Sequence, residues 1–172
     1  MAIFKVKTQV REDLRSQVGD QKYHDEDAVN AVMNYIFRED KLQEGLMGGF
    51  AVNPLFAADQ FKILADAYGK DYGIRLRHMI LSFSPEETLT LFDAKQIAYQ
   101  IASYYGREYQ IVWACHIDAR CLNIHFVMNT VSYRTGMKYD GSKADYYRFQ
   151  AHINHILSPY GMYVEMKSDK RA

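Results

Sequence analysis

Between Ile111 and Val131 the sequence IVWACHIDARCLNIHFVMNTV sets two apolar runs, Ile111–His116 and Asn123–Val131, on either side of a short polar turn, Ile117–Leu122. Two such runs with so short a connection read as an antiparallel hairpin of core strands. Side chains alternate faces along a strand, so Asn123, His125, Val127 and Asn129 all point the same way. Burying an imidazole or an amide without a partner costs free energy, so this polar row either satisfies itself or holds something. Any fold open to the chain has to give that row partners.

The rest of the chain supplies elements to pack around the hairpin. Ile3–Val10 opens with alternating apolar and basic residues and reads as a short strand, followed by a polar segment, Arg11–Lys22, without a clear period. Acidic residues at Asp25–Asp27 lead into Ala28, Val29, Val32, Met33, Ile36 and Phe37, which is helical spacing with carboxylates at the positive end of the dipole. Gly45, Gly48 and Gly49, followed by Asn53-Pro54, predict a loop that ends this helix. Phe56, Phe61, Leu64, Ala65 and Tyr68 predict a second helix closing near Gly69. Arg75–Phe83 reads as a strand, and Ser84-Pro85-Glu86-Glu87 as the start of a helix that runs to Gly106. A last helix is expected over Lys143–Leu157 and an edge strand over Gly161–Met166. The order predicts an α+β domain of 172 residues, a central antiparallel sheet with helices packed on it, and no internal linker. The basic tail, residues 167–172, reads as frayed or as a point of truncation.

Composition narrows the function classes. Lys+Arg and Asp+Glu both number 21, so the net charge is zero, which weighs against nucleic-acid binding unless the charges segregate by face. Two cysteines give no disulfide framework and suit a reducing compartment. No apolar run approaches the ~20 residues of a membrane span, and the N-terminus lacks the apolar core of a signal peptide, so the expectation is a cytoplasmic protein without a membrane partner.

Three elements offer chemistry. His116, Asn123 and His125 bring two imidazoles and a carboxamide oxygen from adjacent strands, a donor set for Mg²⁺ or Mn²⁺, or else a hydrogen-bonded core patch. Asp118 stands near enough in sequence to fix an imidazole tautomer, and Asn129 continues the row. A zinc site of Cys115 and Cys121 with the histidines is disfavoured, because Cys115 and His116 are neighbours and face opposite sides of a strand. Tyr35, near the end of an amphipathic helix, is either packing or a phenol able to attack phosphorus. His78, between Arg75 and Arg77, is either a sheet histidine or part of the same site, with the arginines on phosphates. His152 and His155 read as structural.

In this order, NYIFREDK at Asn34–Lys41, RHMILSFSP at Arg77–Pro85 and HIDARCLNIHFVMNTV at His116–Val131 resemble the motifs of MobP-like relaxases, mobilization nucleases of the HUH endonuclease superfamily. SYRTGMKYDGSKADYYRFQ at Ser132–Gln150 resembles the stretch that follows the last motif, and the likeness extends over about Ala28–Val164. The resemblance implies a relaxase-like, ferredoxin- or palm-like sheet and metal-dependent nicking of single-stranded or hairpin DNA at an origin of transfer. It makes Tyr35 the nucleophile that forms a 5′-phosphotyrosyl link, with His116 and His125 as metal ligands. Arg75, Arg77, Arg134, Lys138 and Lys143 are expected on DNA, and accessory mobilization and coupling proteins as partners.

Where the family motif carries the first histidine of His-x-His, this chain has Asn123. An amide oxygen is a neutral and weaker donor, which favours Mg²⁺ or Mn²⁺ over softer metals and lowers affinity. Two alternatives therefore stand beside the nuclease: a weakened or inactive origin-binding module on the same fold, and an α+β ligand-binding domain unrelated to DNA.

Overall fold

A computed structural model of the chain describes residues 1–7, 27–38, 42–118 and 121–165, with the side chains of residues 42–44 and of Asp118 outside the description. The polar segment Arg11–Lys22, Tyr23 and the tail 167–172 lie outside the described residues. The elements are β1 (Ile3–Lys7), α1 (Ala28–Ile36), β2 (Leu42–Phe50), α2 (Ala57–Ala67), β3 (Leu76–Ser82), α3 (Leu91–Gly106), β4 (Tyr109–Asp118), β5 (Cys121–Ser132) and α4 (Lys143–Leu157). The strands form one five-stranded sheet in the order β1-β3-β5-β4-β2, every pair antiparallel. This is the expected α+β architecture, with the Ile111–Val131 hairpin at its centre.

Both faces of β5 are buried, and alternation divides its side chains between two cores. Ile124, Phe126 and Met128 join Trp113, Cys115, Met79 and Leu81 on the face that carries Ile97, Ile101, Phe149 and Ile153 of α3 and α4. Val127 joins Val112, Ala114 and Leu76 on the other face, under Val29, Val32, Met33 and Ile36 of α1 and Phe61 of α2. The helical spacing at 29, 32, 33 and 36 is thus the stripe that lays α1 along the sheet.

Three expectations are corrected. The glycines at 45, 48 and 49 lie in an edge strand, β2, rather than in a loop. Gly48 and Gly49 sit where a side chain would strike the Trp113 ring and the Val52 carbonyl, so close packing explains glycine at both positions. Gly45, at φ +81°, falls where the register shifts between Leu42 and Met47. Helix α3 begins later than Pro85 suggests. Ser84 and Glu87 close a turn on themselves, Ser84 N donating to Glu87 Oε2 at 2.7 Å, and the helix starts after Thr90. Thr90 is extended, accepts from Asp93 N at 3.0 Å and donates its own N–H to Asp93 Oδ2 at 3.1 Å. Two capping-like motifs therefore follow one another, and only the second is followed by helix. The expected last strand is reduced, among the described residues, to a parallel bridge between Ala2 and Val164. No helix among these residues is long and apolar enough to cross a membrane.

Gly48→Ala would drive a methyl group into the Trp113 indole. It should destabilise the domain by about 1–3 kcal/mol, seen as a lower urea midpoint at unchanged slope.

Candidate functional site

The register of β3, β5 and β4 assembles the site. His116 on β4 pairs with Asn123 on β5, which pairs on its other side with Ser82. His125 lies between Ala114 and Ile80, and His78 is paired with Val127. His116 and His78 are thus diagonal neighbours of His125 on the α1 face, close enough for rings to meet. Ring centroids are 4.4 Å apart for His116 and His125 and 5.3 Å for His78 and His125. All three are buried, at 1%, 4% and 3% exposure for His116, His125 and His78.

Helix α1 closes over this cluster at its C-terminal end. The Tyr35 ring stands edge-on to all three imidazoles, with centroids 5.7 Å from His125, 6.3 Å from His116 and 6.4 Å from His78. It stays 41% exposed, so the phenol borders both the histidines and solvent. The next residue, Ile36, is buried, and its carbonyl accepts a hydrogen bond from His116 Nε2. A carbonyl cannot donate, so Nε2 carries the proton and the lone pair of neutral His116 lies on Nδ1. His125 Nδ1 is 3.0 Å from His78 Nε2. If His125 is the donor in that contact, its Nε2 is left as a ligand atom, with His78 fixing the tautomer.

Among the described residues, no three His, Cys, Asp or Glu side chains are grouped to hold a metal ion. The set the register offers a cation is therefore smaller: His116 and His125, joined by the half-buried Asn123 amide. Cys115 lies on the opposite face beneath α3, its thiol pushed up to about 12 by burial, which removes it from any zinc arrangement with the histidines. Asp118 ends β4 opposite Cys121.

Other expected site residues are placed elsewhere. Asn129, at the far end of the polar row, donates to the Phe61 carbonyl at 3.2 Å and to Gln110 Oε1 at 3.0 Å, while its own oxygen accepts from Val131 N at 3.1 Å. It ties α2 to the sheet, so this member of the row is satisfied internally, and Gln110 is a partner that no motif announced. Arg75 donates to the Asp71 side chain at 2.8 Å, and Lys138 to the carbonyls of Tyr72 and Ile74. Arg134 and Lys143 are exposed, after β5 and at the start of α4.

Arg77 points away from the histidines, into a polar network on the α3–α4 face. Its guanidinium bonds Tyr139 Oη and lies 4.8 Å from that ring's centroid, and Tyr105 Oη is 3.4 Å away. Asp145 accepts from the hydroxyls of Tyr104, Tyr105 and Tyr139 at 3.0, 2.7 and 2.6 Å. Burial opposes ionisation of Asp145, but the three phenols and the Arg77 charge outweigh it and hold the carboxyl below its ordinary value. Burial is also the main reason that the Tyr105 hydroxyl stays protonated far above the usual range.

A carboxyl with a depressed folded-state pKa stabilises fully above its unfolded value, 3.8, and loses that contribution as the pH falls through the folded value. Asp145→Asn should therefore cost about 1 kcal/mol at neutral pH, with the difference from wild type shrinking below pH 4 in urea titrations.

Residues 34–162 match the family described as relaxase, MobA/VirD2-like, nuclease domain. The chain is 31% identical over 88 residues to protein rlx of Staphylococcus aureus, covering 51% of this chain and 27% of that protein. It is 28% identical over 142 residues to the group II intron-interrupted relaxase LtrB of Lactococcus lactis subsp. cremoris, covering 67% of this chain and 25% of that protein. The chain thus spans about a quarter of the length of these curated relatives. In fold it is similar to the MobM relaxase domain bound to a 26-nucleotide pMV158 oriT DNA, with a TM-score of 0.61 at 10% identity over 99% of this chain and 94% of that one. A second similar structure, described under the molecular basis of vancomycin resistance transfer in Staphylococcus aureus, gives 0.59 at 12% identity over 98% and 99%.

Proposed function

The chain belongs to the relaxase family with a MobA/VirD2-like nuclease domain, and from that premise we propose that it nicks one DNA strand at an origin of transfer, using Tyr35 as nucleophile. The observation that carries this reading is the half-exposed Tyr35 ring standing within 6.4 Å of all three buried histidine rings. In the proposed step Tyr35 Oη gives up its proton and bonds to the scissile phosphorus. The bond from phosphorus to the 3′ oxygen breaks, that oxygen takes a proton, and the new 5′ end stays on Tyr35 as a phosphotyrosyl ester. Two phosphoester bonds of similar energy are exchanged, which keeps the step open to reversal.

The donor set fits a hard divalent cation, Mg²⁺ or Mn²⁺, because one ligand is an amide oxygen and both histidines have a fixed hydrogen-bond partner. Held by His116, Asn123 and His125, such a cation supplies positive charge to offset that gathering on the phosphate oxygens. Ile36 O orients His116 and belongs to the same helical turn as Tyr35. His78 orients His125. Ligands and nucleophile are therefore positioned by one small set of contacts rather than independently. Arg134 and Lys143 are the exposed cations assigned to the DNA backbone, whereas Arg77 serves the Asp145 network.

The test is a denaturing gel with single-stranded origin DNA. Wild type should yield a covalent adduct with Mn²⁺ or Mg²⁺ and none with chelator, and Tyr35→Phe should yield none under either condition. An adduct that persists in Tyr35→Phe moves the role to Tyr23 or another tyrosine.

Asn123 favours a second reading, an origin-binding module with weakened or lost cleavage. Binding of hairpin DNA by wild type without cleavage, with cleavage appearing in Asn123→His, would establish it. On either reading Asn123→His should tighten Mn²⁺ binding by titration calorimetry, since imidazole is the stronger donor.

A further inference from the structure

At the end of α1 remote from Tyr35, a cavity of about 40 Å³ opens between α1, α2 and the last residues of β5. Around its apolar floor at Phe61 stand Lys62, Lys70, Arg75 and Lys138, against two carboxylates, Asp59 and Asp71. A chain of zero net charge thus gathers positive charge at one place on the face that also carries the histidines. Asp71 is already engaged, accepting from Arg75 Nε at 2.8 Å and Lys62 Nζ at 3.0 Å. Lys138 is tethered to the backbone carbonyls of Tyr72 and Ile74. Burial first, then the charges of Arg75 and Lys70, pull its ammonium below the ordinary lysine value, while Asp71 acts in the opposite sense. Lys70 is half-buried and makes no side-chain hydrogen bond or ion pair with another described residue. Cationic charge is therefore crowded and fixed in a recess with room for about three water molecules, the space that the nonbridging oxygens of a phosphodiester need.

The position suits a strand held at the histidines. Val29 lines the cavity and Tyr35 covers the cluster, six residues apart on one helix, about 9 Å along its axis. A DNA strand following α1 away from Tyr35 passes the opening. We propose that this cavity is a phosphate anchor, gripping a phosphodiester of the DNA strand a few nucleotides from the bond that Tyr35 attacks. The proposal rests on the DNA reading above, but it concerns binding and is measured without cleavage.

The experiment is fluorescence anisotropy of 5′-labelled dT12 titrated with the full chain over a range of salt concentrations. Lys70→Gln should weaken binding about fivefold to tenfold and reduce the slope of log K against log salt by about one, and Lys70→Arg should retain both. Lys95→Glu, a charge reversal on an exposed residue of α3 across the sheet, should leave both unchanged. Unaltered binding by Lys70→Gln overturns the anchor while leaving the nuclease reading intact. Failure of wild type to bind dT12 overturns the anchor, and failure to bind single-stranded origin DNA as well overturns the DNA reading with it. If inorganic phosphate raises the melting temperature through Lys70 while dT12 binding ignores Lys70, the cavity is a free-anion site and the strand anchor is overturned.

Discussion

The hydrogen bond from His116 Nε2 to the Ile36 carbonyl joins the two halves of the site. One partner belongs to a central strand whose place is set by ladders on both sides, and the other to the last turn of a helix packed on the sheet through Val29, Val32, Met33 and Ile36. A helix ends with carbonyls that lack intrahelical donors, so Ile36 O needs a partner from outside. A buried imidazole likewise cannot be left unpaired at little cost. Each requirement answers the other, and the side chain preceding Ile36 is thereby suspended above the histidine rings.

Division of labour between the two faces of the sheet follows from period two. The odd positions of β5 carry Asn123, His125, Val127 and Asn129 toward α1 and α2, and the even positions fill the larger core under α3 and α4. The same alternation separates His78 from Arg77 on β3. The histidine joins the candidate site, and the arginine ends in a network of phenols around Asp145 that ties the start of α4 to the end of α3. The Asp145 network and the candidate site are thus placed on opposite sides of one layer, and a substitution in one leaves the other's contacts in place.

Much of this was legible in the residues. Alternation put Asn123, His125 and Asn129 on one face, and the helical spacing through Ile36 put Tyr35 near the end of an amphipathic helix. The span of α4, Lys143–Leu157, agrees with the expected one because a capping serine and a following proline mark its ends. What the residues did not show depends on distant contacts. Three glycines signal a loop unless Trp113 and Val52 are known to lie beside Gly48 and Gly49 and a register shift at Gly45. Asn129 looks like a ligand until Gln110 and the Phe61 carbonyl come within reach. The acceptor for His116 is a backbone oxygen, and no side-chain pattern can announce it.

The bulge in β2 has a consequence for the molecule among other copies of itself. As an edge strand, β2 presents a rim of backbone groups that another chain's strand could extend. The left-handed turn at Gly45 and the register shift between Leu42 and Met47 interrupt that rim beside His116. A straight incoming strand finds no continuous ladder there, so the irregularity that accompanies the histidine cluster also guards the sheet against edge-to-edge aggregation.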